Sequence, residues 1–369
     1  MLSLSLKKSR KHSRYQRAAN IGHPAFTIKF SDMSGYNLPA TMKAMILKKP
    51  GCPLQPVSVP LPVPAAEQVL VKVSACGVCR TDLHILDGDL PPVMLPLIPG
   101  HEIIGEVVGT GKKVTTLKCG DKIGIPWLAH TCGKCRYCVR GQENLCDHAI
   151  FTGYTVNGGY AEYTLAWASH CITLPDIFAS KAYAPLLCAG LIGFRSWRLI
   201  QTYAENIGIY GFGAAAHIIT QIARYQDKSV YAFTKPGDNA SKEFALKMGA
   251  TWSGDSSGAP PVKLDAAIIF APDGSLVVNA LSNLDKGGRV ICGGIHMTDI
   301  PYFPYQILWQ ERSISSVANL TREDARLFFD IADQVPVTTS VTYFPLHQAN
   351  EALTALREGK LTGAAVLLP

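Results

Sequence analysis

The sequence lacks any long apolar segment. Its 369 residues contain no uninterrupted run of about 18 apolar residues, the length that crosses a bilayer, and the most apolar stretch ends at Arg195. Charged residues are also scarce, at 17% of the chain, whereas hydrophobic residues make up 47%. This composition excludes a transmembrane helix, and it is typical of a well-packed globular protein long enough for two domains.

Acidic residues are absent from the first 31 positions. The positive charges in this segment account for the whole formal net charge of +7, so the remaining chain is close to neutral. The basic residues of the segment are Lys7, Lys8, Arg10, Lys11, Arg14, Arg17 and Lys29. The composition of the body therefore does not indicate nucleic-acid binding. We expect residues 1–41 to be a basic N-terminal extension, disordered or translated from a start codon assigned too early. A mitochondrial transit peptide is the alternative.

A secretory signal peptide is also lacking, and the 11 cysteines do not follow the spacing of a disulfide framework. Most of them lie between Cys76 and Cys146. Clustered cysteines in a large chain without a signal peptide indicate metal binding. We therefore expect a cytoplasmic protein that binds metal.

Secondary-structure patterns change near Pro185. Before it, short runs broken by glycine and proline predict an irregular all-β region, with strands at Met42 to Leu47, Val69 to Val73, Ile103 to Val108, Lys122 to Ile125 and Gly159 to Leu165. After it, strands alternate with helices, which predicts a parallel sheet with crossover helices. The predicted strands are Ile207 to Tyr210, Ser229 to Phe233, Ala266 to Phe270, Gly288 to Ile291 and Ser313 to Val317. We expect an α/β protein.

The most specific motif is a set of four cysteines with the spacing C-x2-C-x2-C-x7-C. It comprises Cys132, Cys135, Cys138 and Cys146. Gaps of two residues let successive thiolates converge on one ion, and four thiolates saturate tetrahedral Zn²⁺ without leaving an open position. The spacing predicts a closed, structural zinc site; chance clustering of free cysteines is the alternative.

Three further metal-ligating residues are spread along the chain. Cys79, His101 and Cys188 would offer two thiolates and one imidazole, which leaves the fourth position of a zinc ion free for water or a substrate oxygen. Each of them alone is equally explained as a buried core residue. Cys76 competes with Cys79 as a ligand, and the two also form a C-x-x-C pair of the redox type. The residues by themselves leave these alternatives open.

A glycine-rich turn directly follows an apolar strand. Gly211-Phe-Gly213-Ala-Ala-Ala216 matches G-x-G-x-x-A and opens a predicted helix, where backbone N–H groups can bind a pyrophosphate. Such turns are common, but the position of this one within a βαβ pattern favours a dinucleotide site.

The strand that follows this turn ends without an acid. Enzymes that prefer NAD place Asp or Glu there, against the ribose 2′-hydroxyl. This chain has Thr234 and Lys235, and no acid before Asp238. A hydroxyl and a cation suit a 2′-phosphate better, so the sequence slightly favours NADP. NAD is the alternative, since loop geometry can bring Asp238 into range.

From Met42 to the C terminus, the sequence resembles the zinc-dependent alcohol dehydrogenases of the medium-chain dehydrogenase/reductase family. The resemblance is carried by the four-cysteine lobe, by Gly-Val-Cys-Arg-Thr-Asp-Leu-His ending at His84, and by Gly100-His101-Glu102 with Gly105, Gly111 and Val114. It implies a β-rich, GroES-like catalytic domain over residues 42–187 and 321–369, and a Rossmann-type, doubly wound dinucleotide-binding domain over 188–320. It also implies a homodimer or homotetramer.

The resemblance assigns the ligands of a catalytic zinc. Cys79, His101 and Cys188 would bind it, which excludes Cys76. Asp82 would orient His101, as the imidazole ligand of a metal usually requires.

Neighbouring residues receive roles in the same way. Glu102 would lie near the zinc and exchange with its water, and Arg80 would approach the pyrophosphate of the cofactor. Thr81 and His84 would relay the alcohol proton to solvent through the nicotinamide ribose. A turn residue and a surface histidine are the alternatives for these two.

The implied reaction is the reversible oxidation of small to medium primary alcohols to aldehydes with NAD(P). Trp127 would line the substrate pocket, and Leu90 stands where related enzymes have a second tryptophan, which makes the pocket roomier. Polyol oxidation or physiological aldehyde reduction is an alternative on the same fold. A zinc-stabilised binding protein is an alternative of another class, and the nucleotide turn beside a catalytic ligand set argues against it.

Overall fold

The computed structural model describes residues 37–91, 94–335 and 337–369. The expected N-terminal extension, residues 1–41, therefore lies almost entirely outside the described residues. Within the described part of the chain, no helix is long and apolar enough to cross a membrane.

Helices and strands are labelled in chain order. The α-helices are α1 (Arg80–Asp87), α2 (Ala189–Arg198), α3 (Ala214–Tyr225), α4 (Asn239–Lys247), α5 (Ser275–Asn283), α6 (Arg322–Gln334) and α7 (Ala349–Arg357). Short 3₁₀ helices cover Cys138–Arg140, Glu143–Leu145, Ala168–His170, Asp176–Ala179, Lys181–Leu187, Tyr305–Ile307 and Leu346–Gln348.

The strands fall into two groups. Those of the β-rich part are β1 (Thr41–Ile46), β2 (Gln55–Pro60), β3 (Gln68–Val78), β4 (Glu102–Thr110), β5 (Lys122–Ile125), β6 (Leu128–His130), β7 (Ile150–Phe151), β8 (Tyr163–Trp167) and β9 (Ile172–Thr173), with β16 (Val341–Pro345) and β17 (Ala364–Leu368) from the C terminus. The others are β10 (Asn206–Tyr210), β11 (Ser229–Thr234), β12 (Trp252–Asp255), β13 (Leu264–Ile269), β14 (Leu284–Cys292) and β15 (Ser313–Ser316).

The β-rich part is built around a seven-stranded sheet. Its order is β16-β17-β3-β4-β5-β9, and β8 pairs with β3. The predicted strand from Gly159 starts only at Tyr163, because the preceding backbone donates to a different segment: Gly158 to Ile98, and Tyr160 to Pro99. The C-terminal strand β17 pairs antiparallel with β3, so the end of the chain returns to this sheet.

The strands of the second part form a six-stranded sheet in the order β12-β11-β10-β13-β14-β15, in which neighbouring strands pair in parallel. This is the strand order of a dinucleotide-binding, doubly wound sheet. The predicted α/β class, with an irregular β-rich part and a doubly wound parallel part, is confirmed.

Both faces of the parallel sheet are buried. Because side chains alternate along a strand, Ile207 and Ile209 of β10 face a core shared with α2, α3 and α6, whereas Tyr210 packs with α5 on the other face. The rings of Tyr210 and Phe233 stack on that second face with centroids 4.0 Å apart. Burial on both faces is what makes these strands continuously apolar in the sequence.

Candidate active site

The four cysteines of the predicted closed site converge. Their sulfur atoms lie close together, with Sγ–Sγ distances of 3.5 Å for Cys146–Cys132, 3.6 Å for Cys135–Cys138 and 4.0 Å for Cys132–Cys138. A tetrahedron with Zn–S bonds of about 2.3 Å has edges of about 3.8 Å. The sulfur positions therefore fit a tetrathiolate metal site; we call residues 132–146 the four-cysteine lobe.

Local turns hold these thiolates in place. Gly133 and Gly141 adopt positive φ angles of 68° and 72°, which glycine does without strain. Backbone N–H groups point at the sulfurs, for example that of Cys135 at Cys132 Sγ, 3.3 Å away. Such contacts favour the thiolate, and the backbone N–H of Cys138 lowers the pKa of Cys135 to about 6. The lobe stabilises thiolate charge through its own backbone.

One ion pair ties the lobe to the rest of the protein. Glu143, within the lobe, accepts from Arg322 at the start of α6, with Arg322 Nη2 2.7 Å and Arg322 Nε 3.0 Å from Glu143 Oε2. The backbone N–H of Arg322 donates to the same carboxylate at 2.7 Å. The sequence analysis did not predict this pair, because the two residues lie far apart in the chain.

The residues predicted to form the open site also converge, from three segments. Cys79 is the N-cap of α1 after β3, His101 directly precedes β4, Glu102 begins β4, and Cys188 lies between the 3₁₀ helix Lys181–Leu187 and α2. One donor atom from each of Cys79, His101, Glu102 and Cys188 lies within 4.8 Å of the others. The two sulfurs are 3.8 Å apart.

The donors of this group fit a metal ion. His101 Nε2 and Glu102 Oε2 are buried without a hydrogen-bond partner. Buried polar atoms are rarely left unpaired in a protein, so such a group indicates a missing partner. The neighbouring Cys188 thiol lowers the pKa of Cys79 well below its usual value, and burial opposes this less strongly. Two thiol sulfurs, an imidazole and a carboxylate match the ligands that zinc prefers.

A carboxylate lies behind His101, as predicted. Asp82 is fully buried, with Oδ1 3.3 Å from His101 Nδ1. Its other oxygen accepts from the Cys79 backbone N–H at 2.9 Å and from the Tyr160 hydroxyl at 3.0 Å. Burial would lower the pKa of His101, but the Asp82 carboxylate raises it overall. Tyr160, which holds Asp82 in place, was not predicted from the sequence.

Cys76 lies outside this group. Its buried Sγ donates to the carbonyl of Gly77 at 3.5 Å, and a Cβ on Gly100 would come within 2.8 Å of that sulfur. Burial raises the pKa of the Cys76 thiol well above its usual value. A packed, neutral thiol is the state that this environment favours.

The predicted relay residues lie on the first turns of α1. Thr81 is buried, and its hydroxyl is 3.7 Å from Cys79 Sγ. His84 is partly buried; its Nδ1 is 2.9 Å from Asp89 Oδ2, and its ring centroid is 5.0 Å from that of His296. Arg80, the first residue of α1, is exposed.

Aromatic side chains form one wall beside the donors. The Trp127 ring meets His101 edge-on at 4.9 Å and stacks with Phe151 at 5.2 Å and Tyr154 at 5.5 Å. The Tyr154 hydroxyl donates to the carbonyl of Pro91, next to the partly buried Leu90. The sequence analysis predicted Trp127 and Leu90 but not the two rings that connect them.

The predicted nucleotide turn has the required shape. Gly211 has a positive φ of 88°, and a Cβ at this position would contact Ala271. The space beside Gly213 is open, because a Cβ there would meet nothing within 4 Å. Gly213 begins α3 without a side-chain cap, so the first N–H groups of this helix are available to an anion. Ala216 is fully buried against the sheet. This cradle fits a pyrophosphate.

At the end of β11 the structure adds an acid that the sequence pattern did not reveal. Thr234 is buried, Lys235 is exposed, and the Asp238 carboxylate is occupied in accepting from the backbone N–H of Ser241 at 3.0 Å. Asp255 is the register partner of Thr234, and Lys242 Nζ lies 2.6 Å from it. Strand pairing brings Asp255 here from 21 positions along the chain.

A doubly wound sheet with a nucleotide cradle, beside one open and one closed group of metal donors, defines a metal-dependent oxidoreductase that uses a dinucleotide. Comparison with known proteins specifies the family. Residues 65–176 match the alcohol dehydrogenase GroES-like domain. The chain belongs to the zinc-dependent alcohol dehydrogenases of the medium-chain dehydrogenase/reductase family.

Individual relatives cover nearly the whole chain. A probable alcohol dehydrogenase, AdhA, of Mycobacterium tuberculosis is 47% identical over 89% of this chain and 98% of its own length. An alcohol dehydrogenase of Geobacillus stearothermophilus is 35% identical over 88% and 98%. Among solved structures, the acetophenone reductase of Geotrichum candidum in complex with NAD has a TM-score of 0.81 at 27% identity, with coverage of 90% and 99%.

Proposed function

We propose that this alcohol dehydrogenase reversibly oxidises small to medium primary alcohols to aldehydes. In this proposal one catalytic zinc binds to Cys79, His101 and Cys188, and one structural zinc to Cys132, Cys135, Cys138 and Cys146. The observation that carries the proposal is the convergence of Cys79, His101, Glu102 and Cys188 donor atoms within 4.8 Å in a buried site. Three strong ligands leave the fourth position of the zinc for a substrate oxygen, and Glu102 would exchange with the water there.

Zinc at this site supplies a Lewis acid that favours the deprotonated form of an alcohol. The protein residues around it hold and orient the groups. The Asp82 carboxylate fixes the ring of His101, and Tyr160 fixes Asp82. Burial and the nearby Cys79 raise the pKa of Glu102 well above its usual value.

Thr81 and His84 carry the alcohol proton outward in this proposal. They lie three residues apart on α1 and therefore on one helix face. Thr81 Oγ1, beside Cys79 Sγ, would accept the alcohol proton as its own hydroxyl proton leaves towards the imidazole of His84, which passes a proton on to solvent. Asp89 fixes the orientation of the His84 ring through the contact at Nδ1.

The aromatic wall supports the substrate class. Trp127 contacts His101 directly, so an alcohol carbon chain beside the donors packs against this ring and those of Phe151 and Tyr154. Leu90 is smaller than tryptophan and leaves space for longer or aromatic primary alcohols.

The cradle at Gly211, Gly213 and Ala216 would bind the pyrophosphate, with Arg80 approaching it from α1. When bound, the nicotinamide ring supplies the hydride acceptor. We propose a slight preference for NADP, supported by Thr234 and Lys235 at the end of β11 and by the use of Asp238 as a helix cap. Asp255 lies near this position, but Lys242 offsets its charge.

Domain organisation, assembly and location complete the proposal. We assign residues 42–187 and 321–369 to the catalytic domain and 188–320 to the dinucleotide-binding domain.

We also infer a homodimer or homotetramer, because the edge strand β15 adjoins a segment with exposed apolar and aromatic side chains, namely Ile300, Tyr302, Tyr305 and Trp309. The described cysteines are free thiols, which supports a reducing, cytoplasmic location.

The test is a zinc determination on the purified protein, combined with reduced-nicotinamide absorbance using ethanol, 1-butanol and benzyl alcohol with NAD and NADP in parallel. We expect about two zinc ions per chain and turnover that a chelator abolishes. Two zinc ions without turnover on these alcohols would redirect the search to other alcohols and to aldehyde reduction. One zinc ion or none would overturn the ligand assignment at Cys79, His101 and Cys188.

Cofactor preference is tested separately with Thr234→Asp. A carboxylate there repels a 2′-phosphate and accepts from a 2′-hydroxyl, so the ratio of kcat/KM for NAD to that for NADP should rise, roughly 10-fold. Thr251→Asp, in the turn before β12, is the control and should leave the ratio unchanged. An unaltered ratio in Thr234→Asp would show that the 2′-position lies elsewhere.

A further inference from the structure

His296 is a titratable residue near the site that the relay described above does not use. It follows β14 in the dinucleotide-binding part, and its ring centroid lies 5.0 Å from that of His84 on α1, with the ring planes tilted by 50°. The contact therefore joins a residue of the parallel-sheet part to the proposed relay histidine of the β-rich part.

Asp89 fixes the protonation pattern of His84. Its Oδ2 is 2.9 Å from His84 Nδ1, and its backbone N–H donates to the carbonyl of His84 at 3.0 Å. In the neutral ring, Nδ1–H therefore donates to Asp89 and Nε2 is left as the acceptor for an incoming proton. An arriving proton makes His84 an imidazolium that must release one proton before the next turnover.

Solvent access differs between the two histidines. The side chain of His84 is only 15% exposed, whereas His296 lies in an exposed loop. Asp89 is 39% exposed, but its carboxylate already accepts from His84 Nδ1, whereas an imidazole can bind a proton at one ring nitrogen and release one from the other. His296 is therefore better matched than Asp89 as the next acceptor. Charged groups on the elements around His84 include Arg80, one helical turn away on α1, and Asp87 and Arg357, which pair with each other.

We propose that His296 is the proton acceptor that follows His84 in the relay, and that Asp89 positions His84 for this transfer. An N–H bond of the His84 imidazolium breaks and an N–H bond forms on His296, directly or through one water. The positive charge moves with the proton, and water or buffer then takes the proton from His296. No oxidant or reductant takes part. This inference rests on the alcohol dehydrogenase function proposed above.

The test is a stopped-flow measurement of proton release during the first turnover of the zinc-loaded enzyme, with a pH indicator in weak buffer and benzyl alcohol as substrate. The variant is His296→Gln, which keeps a polar side chain but removes the base. Its control is His347→Gln, another exposed histidine, on the 3₁₀ helix Leu346–Gln348. Reduced-nicotinamide absorbance is recorded in the same experiment.

We expect His296→Gln to slow proton release roughly 10-fold. This effect is smaller than that of removing a base that contacts the substrate, because water partly replaces His296 as the acceptor. Added imidazole buffer at constant pH and ionic strength should restore the rate, and His347→Gln should behave like the unsubstituted protein. Buffer rescue distinguishes a proton acceptor from a residue that only shapes the loop.

Two outcomes would overturn the inference, and they are distinguishable. Normal proton release in His296→Gln, with reduced cofactor formed, would remove His296 from the relay and leave the proposed function intact. Slow release that imidazole does not restore would assign His296 a structural role. If the unsubstituted enzyme forms no reduced cofactor from any alcohol tested, the proposed function fails as well.

Discussion

The four-cysteine lobe takes all its donors from residues 132–146, and three of these cysteines are partly exposed. The other donor group takes Cys79, His101 and Cys188 from three distant segments, with His101 fully buried. In the lobe, backbone N–H groups stabilise the thiolates. In the buried group, the Cys188 thiol and His101 lower the pKa of Cys79, and Asp82 orients His101.

This difference shows how much each site depends on the rest of the fold. A local loop of four thiolates can close around a metal once its own turns form, and it leaves no coordination position open. A group assembled from separate segments exists only in the folded protein. Removal of a donor should therefore affect stability at the lobe and turnover at the buried group.

The largest expected effect is on activity, from Cys188→Ser. This variant should fold, keep the zinc of the lobe and lose more than about 1,000-fold in kcat, because a weaker ligand no longer holds the catalytic metal. Zinc content should fall to about half. The control is Cys52→Ser, an exposed cysteine outside both groups. Unchanged turnover in Cys188→Ser would remove it from the ligand set.

Cys135→Ser should instead act on stability. With one thiolate lost, the lobe binds zinc weakly and its turns lose their anchor, so the free energy of unfolding should fall by roughly 2–4 kcal/mol. Urea unfolding followed by circular dichroism measures this change, again with Cys52→Ser beside it. The initial kcat of still-folded protein should stay within about 3-fold of the original. Normal stability would contradict a structural zinc site here.

Asp82→Asn tests the support behind the buried group. The amide retains the shape but loses the charge that orients His101, so the catalytic zinc should bind roughly 10- to 100-fold more weakly. Competition with a chromophoric chelator measures this affinity independently of turnover. Asp147→Asn, next to the lobe, is the matched control and should leave that affinity unchanged. Equal affinities in both variants would show that Asp82 does not orient His101.

The smallest expected effect comes from Arg322→Gln, which breaks the contact between the lobe and α6. Burial raises the pKa of Glu143, but hydrogen bonds from Arg322 more than offset this and lower it overall. Stability from such a group is present above its unfolded pKa and is lost as pH falls through the lower folded pKa. Because Arg322 is 54% exposed, the variant should lose only about 1 kcal/mol at pH 7.

The pH dependence checks that assignment. The stability gap between Arg322→Gln and the unsubstituted protein should shrink as pH falls from 6 to about 3, since protonated Glu143 no longer benefits from Arg322. Zinc loss in acid affects both proteins. The difference between their free energies of unfolding therefore reports on the Arg322–Glu143 ion pair alone. A gap that is constant over this range would indicate lost packing instead of lost charge.

The sequence predicted what depends on local pattern. The spacing of the four cysteines follows from the chemistry of one small loop, and the apolar runs of β10 and β11 follow from burial on both sheet faces. The glycine turn at Gly211 was predicted for the same reason, because the strand, the turn and the helix are consecutive in the chain.

Contacts between distant segments were not predicted. His296 and Arg322 carry no motif, and only the tertiary fold brings them to His84 and Glu143. Asp255 reaches Thr234 through strand pairing, which the sequence alone does not specify. Even His101, Cys79 and Cys188 required resemblance to a family, because each is equally common as a core residue.

The position of Cys188 gives the protein a mechanical property. This residue ends the segment that packs on β3 and β4, and it begins α2, which packs on α3 of the parallel-sheet part. Any rotation between the two parts must bend the backbone beside this residue and again near the start of α6, where the chain crosses back. Such a rotation would displace Cys188 relative to Cys79 and His101 and so change the spacing of the buried donor group.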